Sequence, residues 1–137
     1  MSKDWVQDIH DMQTKYQTRE WVRYSMQDDE KLKEFLKFRI NFLQEELDET
    51  RKAFNNEDAE EIVDGLIDLC VVAIGTLDAY GIDAHKAWDT VLKANMAKEV
   101  GVKETRPNPL GVPDLVKPEG WTAPSHEDNH GIFQDLF

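Results

Sequence analysis

Acid side chains recur at steps of three and four inside the most apolar stretch of this chain. Residues 61–76 read EIVDGLIDLCVVAIGT, and a helix through them puts Glu61, Asp64, Asp68, Val71 and Gly75 on one stripe. Upstream, Phe35, Arg39, Phe42, Glu46, Glu49 and Ala53 follow the same spacing, with Glu45 at the border. Two segments therefore each aim carboxylates where a core is expected. An unpaired ionised carboxylate in an apolar setting is strongly unfavourable even after relaxation, so something positive must stand among them. The basic residues in reach, Arg39, Arg51 and Lys52, are too few. Carboxylate oxygens with no Cys or His nearby in sequence select hard dications: Mg²⁺, Mn²⁺ or Ca²⁺. Mg²⁺ is the expected ion, with Mn²⁺ as its substitute. The competing reading of QEELDE, residues 44–49, is a solvated helix face; for Asp64 and Asp68 it is a set of salt bridges to another subunit.

Helices must position these acids, and four segments carry helical periodicity. Between Asp4 and about Gln17, residues Trp5, Ile9, Met12 and Tyr16 share a face; the pattern then lapses to Gln27. Asp28 is placed to cap a long helix through about Phe54, ended by Asn55 and Asn56. A third helix runs from about Asp58 to Tyr80 and stops at Gly81. Asp83 caps a fourth, from about Ala84 to Lys98, with Ala87, Val91 and Ala94 on its apolar side. The third helix is apolar on nearly every side, so it lies either at the centre of a bundle or under a second subunit. Residues 101–137 hold all five prolines, which disfavours both strand and helix, yet Leu110, Val112, Trp121, Ile132, Phe133 and Phe137 are too apolar for a linker. An extended tail packed on the bundle or on a neighbouring subunit is expected.

The length, 137 residues, suits one domain with a helical part (1–100) and that tail (101–137). A single cysteine, Cys70, excludes a disulfide framework and points to the cytoplasm. No window approaches the roughly 18 apolar residues of a bilayer span, and the start MSKDWVQD lacks a signal-peptide core, so a soluble, unexported chain is expected. With 28 acidic against 16 basic residues the formal charge is −12, which repels nucleic acid and would repel any phosphate substrate unless cations intervene.

These residues resemble the MazG-like all-α nucleotide pyrophosphohydrolases, whose mark is E-x-x-E on one helix and E-x-x-D on the next. Here the marks are Glu46-Leu47-Asp48-Glu49 and Glu61-Ile62-Val63-Asp64. The D-x-L-x-D-x-x-x-V-x-x-G run from Asp64 to Gly75, the YGID turn at 80–83 and KANMAK at 93–98 are also similar. Counted back from Gly81, however, Asp68 falls at the Asp of E-x-x-D and Gly65 at its Glu, so a second register is open in which Asp64 and Asp68 serve. The resemblance implies an all-α bundle of four to five helices, assembled as a homodimer or homotetramer. It implies hydrolysis of a (deoxy)nucleoside triphosphate between the α and β phosphates, with Glu46, Glu49, Glu61, Asp64 and Asp68 holding Mg²⁺. Glu45 or Glu49 would take the proton of the attacking water. Asn95 and Lys98 match an N-x-x-K motif and would contact phosphates, and Arg39 would either join them or pair with a carboxylate. A phosphoribosyl-ATP pyrophosphohydrolase is the second substrate reading, and a non-catalytic acidic helical interaction module the reading from another class. For the base, Trp5, His10, Gln13, Trp21, Tyr24 and Trp121 have suitable chemistry, and none is singled out by spacing.

Overall fold

The computed structural model describes residues 4–106 and 110–137, so the tail prolines at 107 and 109 lie outside the described residues. Six α-helices dominate: α1 (Trp5–Lys15), α2 (Thr18–Tyr24), α3 (Asp29–Asn55), α4 (Ala59–Ala79), α5 (Ala84–Met96) and α6 (Phe133–Leu136). The fold class is all-α. Local chemistry sets three of the starts, because the Asp4, Asp28 and Asp58 carboxylates accept from the N–H groups of Gln7, Lys31 and Glu61. Gly81 follows α4 with φ of 71°, a backbone geometry that suits glycine.

The lapse between 17 and 27 conceals α2. Gln17 adopts a left-handed backbone (φ 59°) that separates α1 from α2, and the short helix turns one apolar residue, Val22, fully inward. Two turns with one buried anchor are too few for a period to register.

The chain forms two compact units, residues 1–84 with 130–137, and residues 85–129. In the first, α3 and α4 run antiparallel: Leu32 meets Tyr80, Arg39 meets Thr76 and Thr50 meets Gly65, in inverse order. Tyr80 is fully buried, and its hydroxyl donates to the Leu32 carbonyl at 2.5 Å. Around it the core gathers Val22, Leu32, Ala79, Ile82 and Leu136, flanked by the rings of Phe35 and Phe133. The last residues close this core: Ile132 N–H donates to the Tyr80 carbonyl at 2.9 Å. Asp78 ties three helices together, accepting from Arg19 on α2 and pairing with His10 Nδ1 on α1, each at 2.6 Å. His10, half-buried there, is a structural residue.

The second unit contains α5 from His85 onward and an antiparallel ribbon of β1 (Glu99–Gly101) and β2 (Asp114–Val116), with Val100 opposite Leu115. The expectation that 101–137 would hold neither strand nor helix is thus corrected. Prolines 113 and 118 bracket β2 rather than interrupt it, and α6 begins beyond the last proline, Pro124.

Helix α4 is not enclosed within one chain. Gly65, Val72, Gly75, Thr76 and Ala79 turn inward, while Val63 is 62 % exposed and Leu66 52 %. No described helix is long and apolar enough to cross a membrane.

Candidate active site

The C-terminal half of α3 and the N-terminal half of α4 bring the acids together. Glu46 sits half-buried on α3. Its carboxyl pKa is raised, first by burial and then by the negative charges of Asp68, Glu49, Asp64 and Glu45. Asp68, half-buried on α4, is raised by burial and by the neighbouring Asp64 carboxylate. Glu46 Oε2 is buried and has no hydrogen-bond partner.

Among the described residues, no cation figures among the causes that shift Glu46 or Asp68. The guanidinium of Arg39, one candidate, points elsewhere: Nε donates to Thr76 Oγ1 at 2.9 Å and an Nη to the Val72 carbonyl at 3.1 Å. Burial lowers its pKa, and no carboxylate raises it. Arg39 thus pins α3 to α4. Gly75 admits it, since a Cβ there would come within 2.8 Å of the guanidinium.

The acids are less sheltered than the sequence suggests. Glu45, Glu49, Glu61 and Asp64 are exposed in the single chain, and only Glu46 and Asp68 are partly withdrawn from solvent. The expectation of an interior with no wet face is corrected, because the apolar neighbours of Asp64 on α4 themselves stand in solvent. Glu61 is absent from the charges that perturb Glu46 and Asp68. Its N–H is spent on the Asp58 cap, at the mouth of the helix.

Gly65, the position that the second register leaves without an acid, is a point of close contact between the helices. A Cβ there would collide with Thr50 Oγ1, which donates back to the Glu46 carbonyl at 2.8 Å. A larger side chain fits only if the Thr50 hydroxyl gives way, since the α3 backbone already stands at contact distance. Sequence spacing alone treats Gly65 and Thr50 as blanks; only their juxtaposition shows that they set the distance between the two acidic stripes. Gly65→Ala is expected to destabilise the protein by about 1–3 kcal/mol through overpacking. Thermal melting should show recovery in the Thr50→Ala, Gly65→Ala double variant, as neighbours in contact are not additive.

Among the described residues, no three His, Cys, Asp or Glu side chains stand close enough to enclose a metal ion together. The donor chemistry nevertheless suits Mg²⁺: oxygen ligands only, one of them an orphaned buried oxygen, in a cluster of like charge. Mg²⁺ usually takes one or two carboxylates and completes its shell with waters and substrate phosphate oxygens. Asn95 and Lys98 belong to the second unit, where both are half-buried, Asn95 in the last turn of α5 and Lys98 just beyond it.

A family model described as phosphoribosyl-ATP pyrophosphohydrolase (PRA-PH) matches residues 8–95. No curated protein and no solved structure matches the chain significantly. That family belongs to the all-α NTP pyrophosphatase superfamily, which also includes MazG, so the resemblance read from the motifs holds at superfamily level. The matched span takes in both acid-bearing helices and most of α5. The chain belongs to the phosphoribosyl-ATP pyrophosphohydrolase family and is accordingly a nucleotide pyrophosphohydrolase.

Proposed function

We propose that the protein is a Mg²⁺-dependent enzyme that hydrolyses (deoxy)nucleoside triphosphates between the α and β phosphates, giving a monophosphate and pyrophosphate. The observation that carries this reading is the uncompensated carboxylate cluster, with Glu46 Oε2 buried and unpartnered at its centre. Glu46, Glu49, Asp64 and Asp68 would supply the carboxylates that hold Mg²⁺, one or two to an ion with waters and phosphate oxygens completing each shell, and Glu61, one turn before Asp64, would be a further donor. When bound, Mg²⁺ would offset phosphate charge and make a water easier to deprotonate.

The chain's own groups supply the rest. Glu45 is exposed at the edge of the cluster, where it can take the proton of the attacking water; Glu49 is the alternative base. The water oxygen bonds to the α phosphorus, the bond from that phosphorus to the bridging oxygen breaks, and pyrophosphate leaves. Asn95 and Lys98 would contact the phosphates. Arg39 supports the site by fixing the register of α3 on α4. The exposed apolar residues of α4 and Phe38 of α3, 62 % exposed, favour a homodimer or homotetramer that covers them.

The family match over residues 8–95 favours a second substrate, phosphoribosyl-ATP, which would be cut at the same bond. Pyrophosphate release should therefore be measured with ribo- and deoxynucleoside triphosphates, modified triphosphates and phosphoribosyl-ATP. Activity is expected to vanish in excess EDTA and to return with Mg²⁺ or Mn²⁺. Full turnover in chelator would eliminate the metal mechanism. Oligomerisation without turnover or a Mg²⁺-dependent thermal shift would favour the interaction module instead.

A further inference from the structure

Where the acidic stripe of α4 ends, a cavity begins. Along that helix Ile67 follows Asp64 by three positions and Val71 follows Asp68 by three, so each apolar residue stands about one turn beyond an acid. Helical neighbours at this spacing have Cβ atoms about 5–6 Å apart. Ile67 and Val71 of α4 line a cavity of about 230 Å³ together with Trp5, Asp8, Ile9 and Met12 of α1. Both helices belong to the first compact unit, as do the acids.

The volume is below what a drug-sized ligand occupies and suits one flat heterocycle. Ile9, Met12, Ile67 and Val71 make the wall apolar, and Trp5, 52 % exposed, supplies an indole on which a base can stack. Among the described residues Asp8 is the one charged group of the lining, and no described residue donates to its carboxylate. An ionised carboxylate only accepts hydrogen bonds, so it attracts an amino group and repels a carbonyl oxygen.

We infer that this cavity holds the nucleobase of the substrate and that Asp8 selects bases with an exocyclic amino group, cytosine over uracil and adenine over hypoxanthine. The inference rests on the proposed function, in which the acids one turn away serve the phosphates and the pentose bridges the step from Asp68 to Val71. Trp5 is the stacking surface. Asp8 is the specificity-determining residue.

Cys70, the chain's single cysteine, also lines the cavity, so its alkylation rate reports occupancy. The full chain in EDTA is treated with iodoacetamide while cytidine, uridine, adenosine or inosine is titrated in, and equilibrium dialysis of the same nucleosides gives a second measure. Cytidine and adenosine are expected to slow alkylation saturably, with uridine and inosine about tenfold weaker, the scale of one hydrogen bond to a charged group. Asp8→Asn should erase the difference within each pair, because an amide can serve either edge. Trp5→Ala should weaken all four by about tenfold. Asp8 also lies in the first turn of α1, where a carboxylate favours the helix, yet loss of helix stability alone would not alter the choice between cytidine and uridine. With Mg²⁺ added, the ratio of kcat/KM for CTP over UTP should fall about tenfold in Asp8→Asn. Absence of both protection and retention for all four nucleosides, or a preference untouched by Asp8→Asn, would overturn the inference. Base-selective binding in a protein that hydrolyses no triphosphate would instead sink the proposed function and leave the base pocket standing.

Discussion

Glu46→Gln is expected to reduce pyrophosphate release by about 10²–10³-fold, the scale on which removal of one preorganised electrostatic partner acts. The same change should raise the melting temperature of the ion-free protein. Both outcomes come from one fact: the native site places Glu46 among Asp68, Glu49, Asp64 and Glu45, with no described cation among the causes of its shift. A neutral amide keeps the shape and removes the repulsion. Asp68→Asn should behave alike, because it relieves the contact with Asp64. The pH dependence has a definite sign. Folding raises the pKa of Glu46 and of Asp68, so the folded chain retains protons that the unfolded chain has already released. The contribution of these two groups to stability without metal is therefore fully present below the ordinary carboxylate range and is lost as pH rises through the raised values. Mg²⁺ binds the deprotonated form, so the stabilisation that it adds should grow over the same interval. Melting curves of wild type and Glu46→Gln from pH 4 to 8, with and without Mg²⁺, check this; a difference between the two metal-free proteins that does not grow as pH rises contradicts the cluster.

Tyr80→Ala is expected to cost about 3–5 kcal/mol, the range for truncating a large buried aromatic. For the compact unit of 1–84 with 130–137, that corresponds to a fall in melting temperature of more than about 10 °C. Tyr80 is fully buried, its ring lies 4.8 Å from that of Phe133 and 6.0 Å from that of Phe35, and it anchors α4 to both α3 and α6. Burial pushes its hydroxyl up to about 12, so it stays protonated and remains a donor to Leu32 at neutral pH. Tyr80→Phe keeps the ring and loses only that bond, and should cost about 1 kcal/mol. Thermal denaturation of the two variants separates packing from hydrogen bonding.

Local chemistry was the most legible part of the sequence. Asp28 was readable as a cap and Gly81 as a stop because each acts on its immediate neighbours, and both have those geometries. The two acidic stripes were legible for the same reason, and Glu46, Asp64 and Asp68 do come together. What depends on another segment was not. Arg39 sits on the acidic stripe by periodicity, yet the carbonyl of Val72 and the hydroxyl of Thr76 draw it away from the acids. The openness of the site was hidden because Val63 and Leu66 are apolar whether this chain covers them or another copy does. Gly65 reads as a gap in a ligand set until Thr50 is seen against it. Trp5 was one aromatic among several until Asp8, Ile67 and Val71 were found at the same cavity.

The hydrogen bond from Ile132 to Tyr80 joins two points 52 positions apart, and Gly131, with φ of 54°, makes the approach possible because a side chain there would run into the Tyr80 carbonyl. During synthesis on the ribosome, α1 to α4 therefore emerge long before the segment that seals their core. Until that segment has packed, the apolar surface around Tyr80 lacks part of its cover, which exposes the folding chain to self-association. The same closure makes residues 85–129 an insert whose two ends leave the first unit side by side, an arrangement in which the intervening block can change in length or sequence across evolution without unthreading its host.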